Sequence, residues 1–171
     1  MKKLFILRHA KSSWDDPDID DHERPLAPRG ARAGTLIGRH LKNIGINPDL
    51  ILCSTAKRAR DTLHLVLAQL DSNTDPLYER SLYMCGAQGW IQRLRGVPET
   101  FNTVLVVGHN PDLHELAAAM AVTGDEDAID SVMTKMPTAG LAEFDLDMDA
   151  WSAFPPLAPQ LVRFITPRDL A

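Results

Sequence analysis

The sequence predicts an α/β fold: a three-layer α/β/α sandwich whose central sheet is mostly parallel, with an antiparallel pairing at its edge. Three observations predict it. Short apolar runs of strand length alternate with segments of helical period over most of the chain. Near the C-terminus the pattern switches to period two, the mark of a strand beside an antiparallel partner. No internal repeat and no Gly/Ser-rich linker interrupts the 171 residues, so 1–171 reads as one domain.

Each element follows from its local pattern. Residues 3–8 are a buried strand, and 10–26 form a long polar loop rich in Asp. Residues 28–44 read as a helix, because Ala33, Leu36, Ile37, Leu41 and Ile44 share one face and Gly45 follows as a stop. The run "DLILCS" at 49–54 is a short strand. Residues 55–70 form a second helix, with Ala59, Leu63, Val66, Leu67 and Leu70 inward and Lys57, Arg58, Arg60 and Asp61 on its polar face. Residues 78–83 are extended or irregular, and 87–95 make a short helix around Trp90, Ile91 and Leu94. The run "NTVLVVGH" at 102–109 is a strand, followed by a helix over 111–122. In 141–149, apolar residues alternate with Glu143, Asp145, Asp147 and Asp149, so one face is expected to be wet. Residues 161–166 supply its partner strand.

Composition narrows the function. Hydrophobic residues at 44% suffice for one sizeable core, and a net charge of −5 argues against a general nucleic-acid binder. No run approaches the roughly 18 apolar residues of a membrane span. The start carries no signal-peptide pattern. Cys53 and Cys85 are too few for a disulfide framework or a zinc site. A reducing, cytoplasmic setting is expected, with both cysteines as packing residues.

The chemistry gathers at strand ends. In open α/β sheets, ligands sit outside the carboxyl ends of the strands. The first strand delivers Arg8 and His9, the second Ser54 with Arg58 one turn on, and the third His109 and Asn110. Asn110 before Pro111, and Ser54, are suited to cap the two following helices, whose N–H groups favour an anion. Two arginines, two histidines and two helix starts suit a phosphate dianion. A neutral imidazole beside it can attack phosphorus and form a phosphohistidine, with arginines neutralising the transferred oxygens. That chemistry needs no metal and no cofactor. Taken singly, a histidine after a strand or an arginine on a helix is usually structural. The four together at like ends of elements favour the functional reading.

The segments "LRHAKSSWDD", "ERPLAPRG", "CSTAKRARDT" and "VVGHNPDLHELA" resemble the histidine phosphatase superfamily, whose fold is phosphoglycerate mutase-like. They resemble most its short branch, the SixA-type phosphohistidine phosphatases. The resemblance spans about residues 3–147. It implies that His9 is the nucleophile and that Arg8, Arg58 and His109 complete the phosphate pocket, with Ser54 and Asn110 as further substrate-binding positions. Ala10 stands where the family signature has glycine, and Thr55 where the second motif has proline. The Thr138-Ala139-Gly140 backbone is implied to border the pocket. Glu79 lies near the glutamate that serves as general acid in larger relatives, and the SixA branch is expected to work without one. Asp16, Asp20 and Asp21 read as solvated loop carboxylates. Lys11 and Trp14 are candidates for the mouth or plain loop packing. His40 and His64 read as helix residues at the surface or the core edge; His22 and His114 have no assigned role.

Substrate class stays open between alternatives. The chain has little spare length to cover a small ligand, which favours phosphohistidine, or another phosphorylated side chain, in a protein. The alternatives are a small-molecule phosphate monoester on the same scaffold and a non-catalytic phosphate-binding domain.

Overall fold

A computed structural model describes residues 1–171. One seven-stranded mixed sheet runs through the chain in the order β3-β2-β4-β1-β6-β7-β5. Its strands are β1 (Lys2–Arg8), β2 (Leu50–Ser54), β3 (Leu77–Glu79), β4 (Thr103–Gly108), β5 (Thr123–Gly124), β6 (Leu141–Leu146) and β7 (Gln160–Ile165). The helices are α1 (Pro28–Asn43), α2 (Lys57–Leu67), α3 (Gly86–Arg95), α4 (Asp112–Met120), α5 (Glu126–Thr134) and the single turn α6 (Pro167–Leu170). Strands β3, β2, β4 and β1 are parallel; β6 lies antiparallel to both β1 and β7.

The period-two geometry of the central strands separates two cores. Leu4 and Ile6 of β1, with Val104 and Val106 of β4, face Trp90, Leu94, Leu113 and Leu116 of α3 and α4. Phe5, Leu7, Leu105 and Val107 face the other way, onto Ile37 and Leu41 of α1 and Leu63 and Val66 of α2. Helices on both faces make the three expected layers. Of these residues, the strand side chains are at most 1% exposed, so the ends of β1 and β4 are held by packing on both sides.

The elements fall close to their expected bounds, with two differences. Helix α5 and strand β5 occupy 123–134, a stretch the sequence left unassigned. Strand β6 has no wet face: Glu143 is 3% exposed. It lies between β1 and β7, and Arg163 on the partner strand supplies an ion pair at 2.6 Å that makes the buried carboxylate tolerable. Burial still pushes the Glu143 pKa up, with Arg163 opposing. No helix is long and apolar enough to cross a membrane.

Candidate active site

The site is built by strand register. Parallel pairing sets Arg8 opposite Gly108, so the next residues, His9 and His109, emerge side by side with ring centroids 5.2 Å apart. Neighbouring pairing sets Cys53 opposite Val107, which brings Ser54 beside them. The Ser54 hydroxyl lies 2.8 Å from His109 Nε2. Arg58, the second residue of α2, is 6% exposed although it stands on the face expected to be polar. The site thus unites His9, Arg8, Arg58, His109 and Ser54 from three adjacent strand ends.

Backbone bonds fix the position of His9. The His9 N–H donates to Gly108 O, and Ala139 N–H donates to His9 O. Arg8 N–H donates to Gly140 O, so the 138–140 backbone does lie against this strand end. Ala139 takes a left-handed φ of 59° to turn its amide there. Ala10 N–H donates to Thr62 Oγ1, which itself donates to Arg58 O at 2.7 Å. A methyl at Gly30 would stand 2.0 Å from Lys11 O, so α1 closes on the chain just after His9 only because residue 30 has no side chain.

Hydrogen bonds decide the tautomers. His9 Nδ1 lies 2.7 Å from Ala10 O. A carbonyl only accepts, so Nδ1 carries the proton and Nε2 presents a lone pair. For His109 the Ser54 hydroxyl is decisive. Its oxygen accepts from Ala56 N–H at 3.2 Å, and giving its proton to His109 Nε2 uses the hydroxyl as acceptor and donor at once. The His109 proton then sits on Nδ1, which is buried and has no partner.

Electrostatics keep both rings neutral. Burial pushes the His9 pKa down to about 3, and His109, Arg58 and Arg8 push the same way against the Ala10 carbonyl. His109 is likewise held at about 3, first by burial and then by Arg58 and Arg8, with Asp21 opposing. Arg8 is lowered by burial and by Arg58. The two guanidinium charges thus stand close together in a buried volume. Arg8 Nε and Arg58 Nε are buried and unpartnered there.

Several expected roles change. Asn110 and Ser54 cap no helix: the N-cap positions are Pro111 for α4 and Ala56 for α2, neither with a side-chain cap. The Asn110 amide is turned instead to Met136 O at 2.9 Å, the carbonyl that also accepts from Arg8 Nη1 at 3.1 Å. Ser54 is spent on His109. Glu79 accepts from Arg93 at both carboxylate oxygens, at 2.7 and 2.9 Å, and makes no hydrogen bond to a pocket residue. His114 donates from Nε2 to Val132 O, tying α4 to α5.

Asp21, read as a solvated loop carboxylate, is part of the site. Arg58 donates to its backbone oxygen at 2.6 Å and to Oδ2 at 3.0 Å. Tyr83 Oη donates to Oδ2 at 2.5 Å, and Arg24 Nη2 to Oδ1 at 3.1 Å. The Tyr83 ring packs edge-on against His109, centroids 5.4 Å apart, and against His22 at 5.0 Å. His22 Nε2 meets the Thr55 hydroxyl at 2.8 Å, so the residue in the family's proline position anchors the loop. Trp14 lies exposed over the Arg24 guanidinium at 3.7 Å. No periodicity marks Asp21 or Tyr83, because Asp21 opens a single 3-10 turn and Tyr83 closes another, each too short to show a repeat; the one signal is the charged stretch "DDHERPL".

Comparisons with known proteins agree with this geometry. Residues 4–82 match the model of the histidine phosphatase superfamily, branch 1. An uncharacterized protein of Mycobacterium tuberculosis is 37% identical over 164 residues, covering 95% of this chain and all of that one. A candidate phosphohistidine phosphatase SixA from Agrobacterium tumefaciens superposes with a TM-score of 0.80 at 27% identity, over 96% of this chain and 97% of that chain. Its counterpart from Nakamurella gives 0.84 at 26%, over 97% and 96%. The chain belongs to the histidine phosphatase superfamily. Within it, this is a phosphatase whose solved structural neighbours include SixA proteins.

Proposed function

We propose that this chain is a metal-independent phosphatase that takes a phosphoryl group onto His9 and hydrolyses phosphohistidine, or another phosphorylated side chain, in proteins. The observation that carries it is the set of buried polar atoms left without partners around His9: Arg8 Nε, Arg58 Nε and His109 Nδ1. Each is a donor once the Ser54 bond fixes the His109 tautomer. Buried donors cost free energy when unpaired, so their presence beside a neutral imidazole argues for an oxyanion that arrives with the substrate.

The chemistry follows from the tautomers. His9 Nε2 attacks phosphorus in line with the leaving group. As the P–N bond forms, the ring becomes cationic and its Nδ1–H keeps its bond to the Ala10 carbonyl, which favours that charge. Arg8, Arg58 and His109 Nδ1–H stabilise the equatorial oxygens. Water then attacks phosphorus, the His9–P bond breaks with its electron pair returning to Nε2, and inorganic phosphate leaves.

Phosphohistidine is favoured over an ester by what flanks the pocket. Glu79 is engaged by Arg93, and Asp21 is held below the usual carboxylate range by the Tyr83 hydrogen bond and by Arg24 and Arg58, so neither is poised to protonate an alkoxide. An imidazole leaving group protonated by solvent needs no such donor. We read residues 1–171 as one domain, and the free thiols Cys53 and Cys85 fit a reducing, cytoplasmic setting. The test is side-by-side incubation with a phosphorylated histidine-phosphotransfer domain and a panel of sugar and nucleotide phosphates. The reading expects the phosphoprotein to be turned over far faster. One small ester consumed faster than the phosphoprotein would replace it with the small-molecule reading.

A further inference from the structure

Asp21 presents a problem that the pocket alone does not solve. Its carboxylate stands at the outer side of the site: its side chain is 46% exposed, against 7% for the Arg58 side chain it binds. Three donors already hold it, Arg24 on Oδ1 and Arg58 with Tyr83 on Oδ2. A carboxylate has about four lone-pair sites, so one on Oδ1 is left for a further donor. With the buried His9 as nucleophile, in-line displacement sends the leaving group toward solvent, the side on which the more exposed Asp21 carboxylate stands.

We infer that Asp21 is a catalytic residue for phosphohistidine, accepting a hydrogen bond from the free ring nitrogen of the substrate's imidazole. This rests on the reading of the chain as a phosphohistidine phosphatase and adds the basis of its leaving-group selectivity. The substrate ring takes one proton from water at the nitrogen not bonded to phosphorus, and that N–H donates to Asp21 Oδ1. His9 Nε2 then forms its bond to phosphorus. The substrate's P–N bond breaks, its electron pair returns to the departing nitrogen, and a neutral imidazole leaves with its N–H still on Asp21. A fixed anion favours the protonated, reactive form of the substrate and offers nothing to an alkoxide.

The surrounding groups make Asp21 a lasting acceptor. Arg24, Arg58, Tyr83 and His109 face it, and His22 is directed to Glu23 and Thr55. The Tyr83 phenol, pushed up by burial and by Asp21, stays a donor. The bond to Tyr83 also ties the carboxylate to the ring that walls His109.

The test compares the purified full chain with Asp21→Asn and Asp21→Glu on two substrates, a phosphohistidine-bearing phosphotransfer domain and phenyl phosphate, whose leaving group has no N–H. The readout is the ratio of kcat/KM for the first over the second. At pH 8 the ratio falls by at least about 10-fold in Asp21→Asn, the scale of one charge-assisted hydrogen bond. Asp21→Glu keeps most of it, and the deficit of Asp21→Asn shrinks toward pH 6, where solvent protonates the substrate ring unaided. An unchanged ratio in Asp21→Asn overturns the inference, as does collapse of both activities that Asp21→Glu does not repair. Native enzyme that cleaves phenyl phosphate and leaves phosphohistidine untouched refutes the underlying functional reading instead.

Discussion

The Ser54 hydroxyl sits 2.8 Å from His109 Nε2, and both groups are buried at the ends of adjacent strands. This bond sets which His109 nitrogen carries the proton facing the pocket. Ser54→Ala leaves the ring free to hold its proton on Nε2 and turn a bare acceptor toward the phosphate. A kcat loss of about 10- to 100-fold is expected, the range for losing the partner that fixes a functional histidine. His109→Ala is expected to cost about 100- to 1,000-fold, as for removal of one oxyanion donor. Steady-state kinetics on both variants check this. A Ser54→Ala enzyme with native kcat would mean the tautomer is set elsewhere.

Arg58 shows why lysine is no substitute here. Its guanidinium spans Asp21 through two terminal nitrogens and still leaves a buried Nε for an anion. An ammonium has no second edge. Arg58→Lys is expected to lose at least about 100-fold in kcat/KM, close to Arg58→Ala, on the scale of a hydrogen bond between charged partners at a transition state. Kinetics near native for Arg58→Lys would show that charge alone suffices.

Acid should loosen the fold through the two active-site histidines. Both have folded-state pKa values of about 3, below the ordinary 6.5, because burial penalises their charged forms. The unfolded chain therefore binds more protons than the folded one between these values. Their contribution is fully present above pH 6.5 and is lost as pH falls toward 3, by up to about 1.4 kcal/mol per pH unit for each ring. Urea unfolding at pH 7, 5.5 and 4.5 checks this, and His109→Asn should show a shallower slope. Bound phosphate should lower the slope too, since a dianion between the rings favours their protonation.

Gly30 tests how the strand end is supported. A β-carbon there would lie 2.0 Å from the Lys11 carbonyl oxygen. Gly30→Ala must push α1 away from the segment following His9. A loss of about 1–3 kcal/mol is expected, the usual cost of overpacking. Activity should fall in the same variant. An unaltered urea midpoint would show that the contact yields freely.

Much of this site was legible in the sequence because it is delivered by regular elements. Apolar runs ending in Arg8-His9, Ser54 and His109-Asn110 identify strands and the edge where they stop. Arg58 is buried beside them although its helical position suggests a wet face. The loop was less legible. Asp21 and Tyr83 lie near one another only because the 10–26 loop folds back over α2, with Ser12 bridged to Leu26. Such tertiary closure leaves no periodic trace. The caps differ for a related reason: Ser54 and Asn110 have capping side chains, yet each is engaged by a partner elsewhere, His109 and Met136 O. The alternation in β6 suggested a wet face because Glu143 is charged; Arg163 lies directly opposite it on the partner strand β7, and strand patterning alone does not give the register that pairs the two.

The central claim is that His9 carries the phosphoryl group. Rapid acid-free quenching of the enzyme with labelled phosphohistidine protein, followed by mapping of the labelled peptide, tests it most directly. The expected result is label on His9, stable in alkali and lost in acid, and absent together with turnover in His9→Ala. Turnover by His9→Ala at a rate near native, or label on another residue, would contradict it.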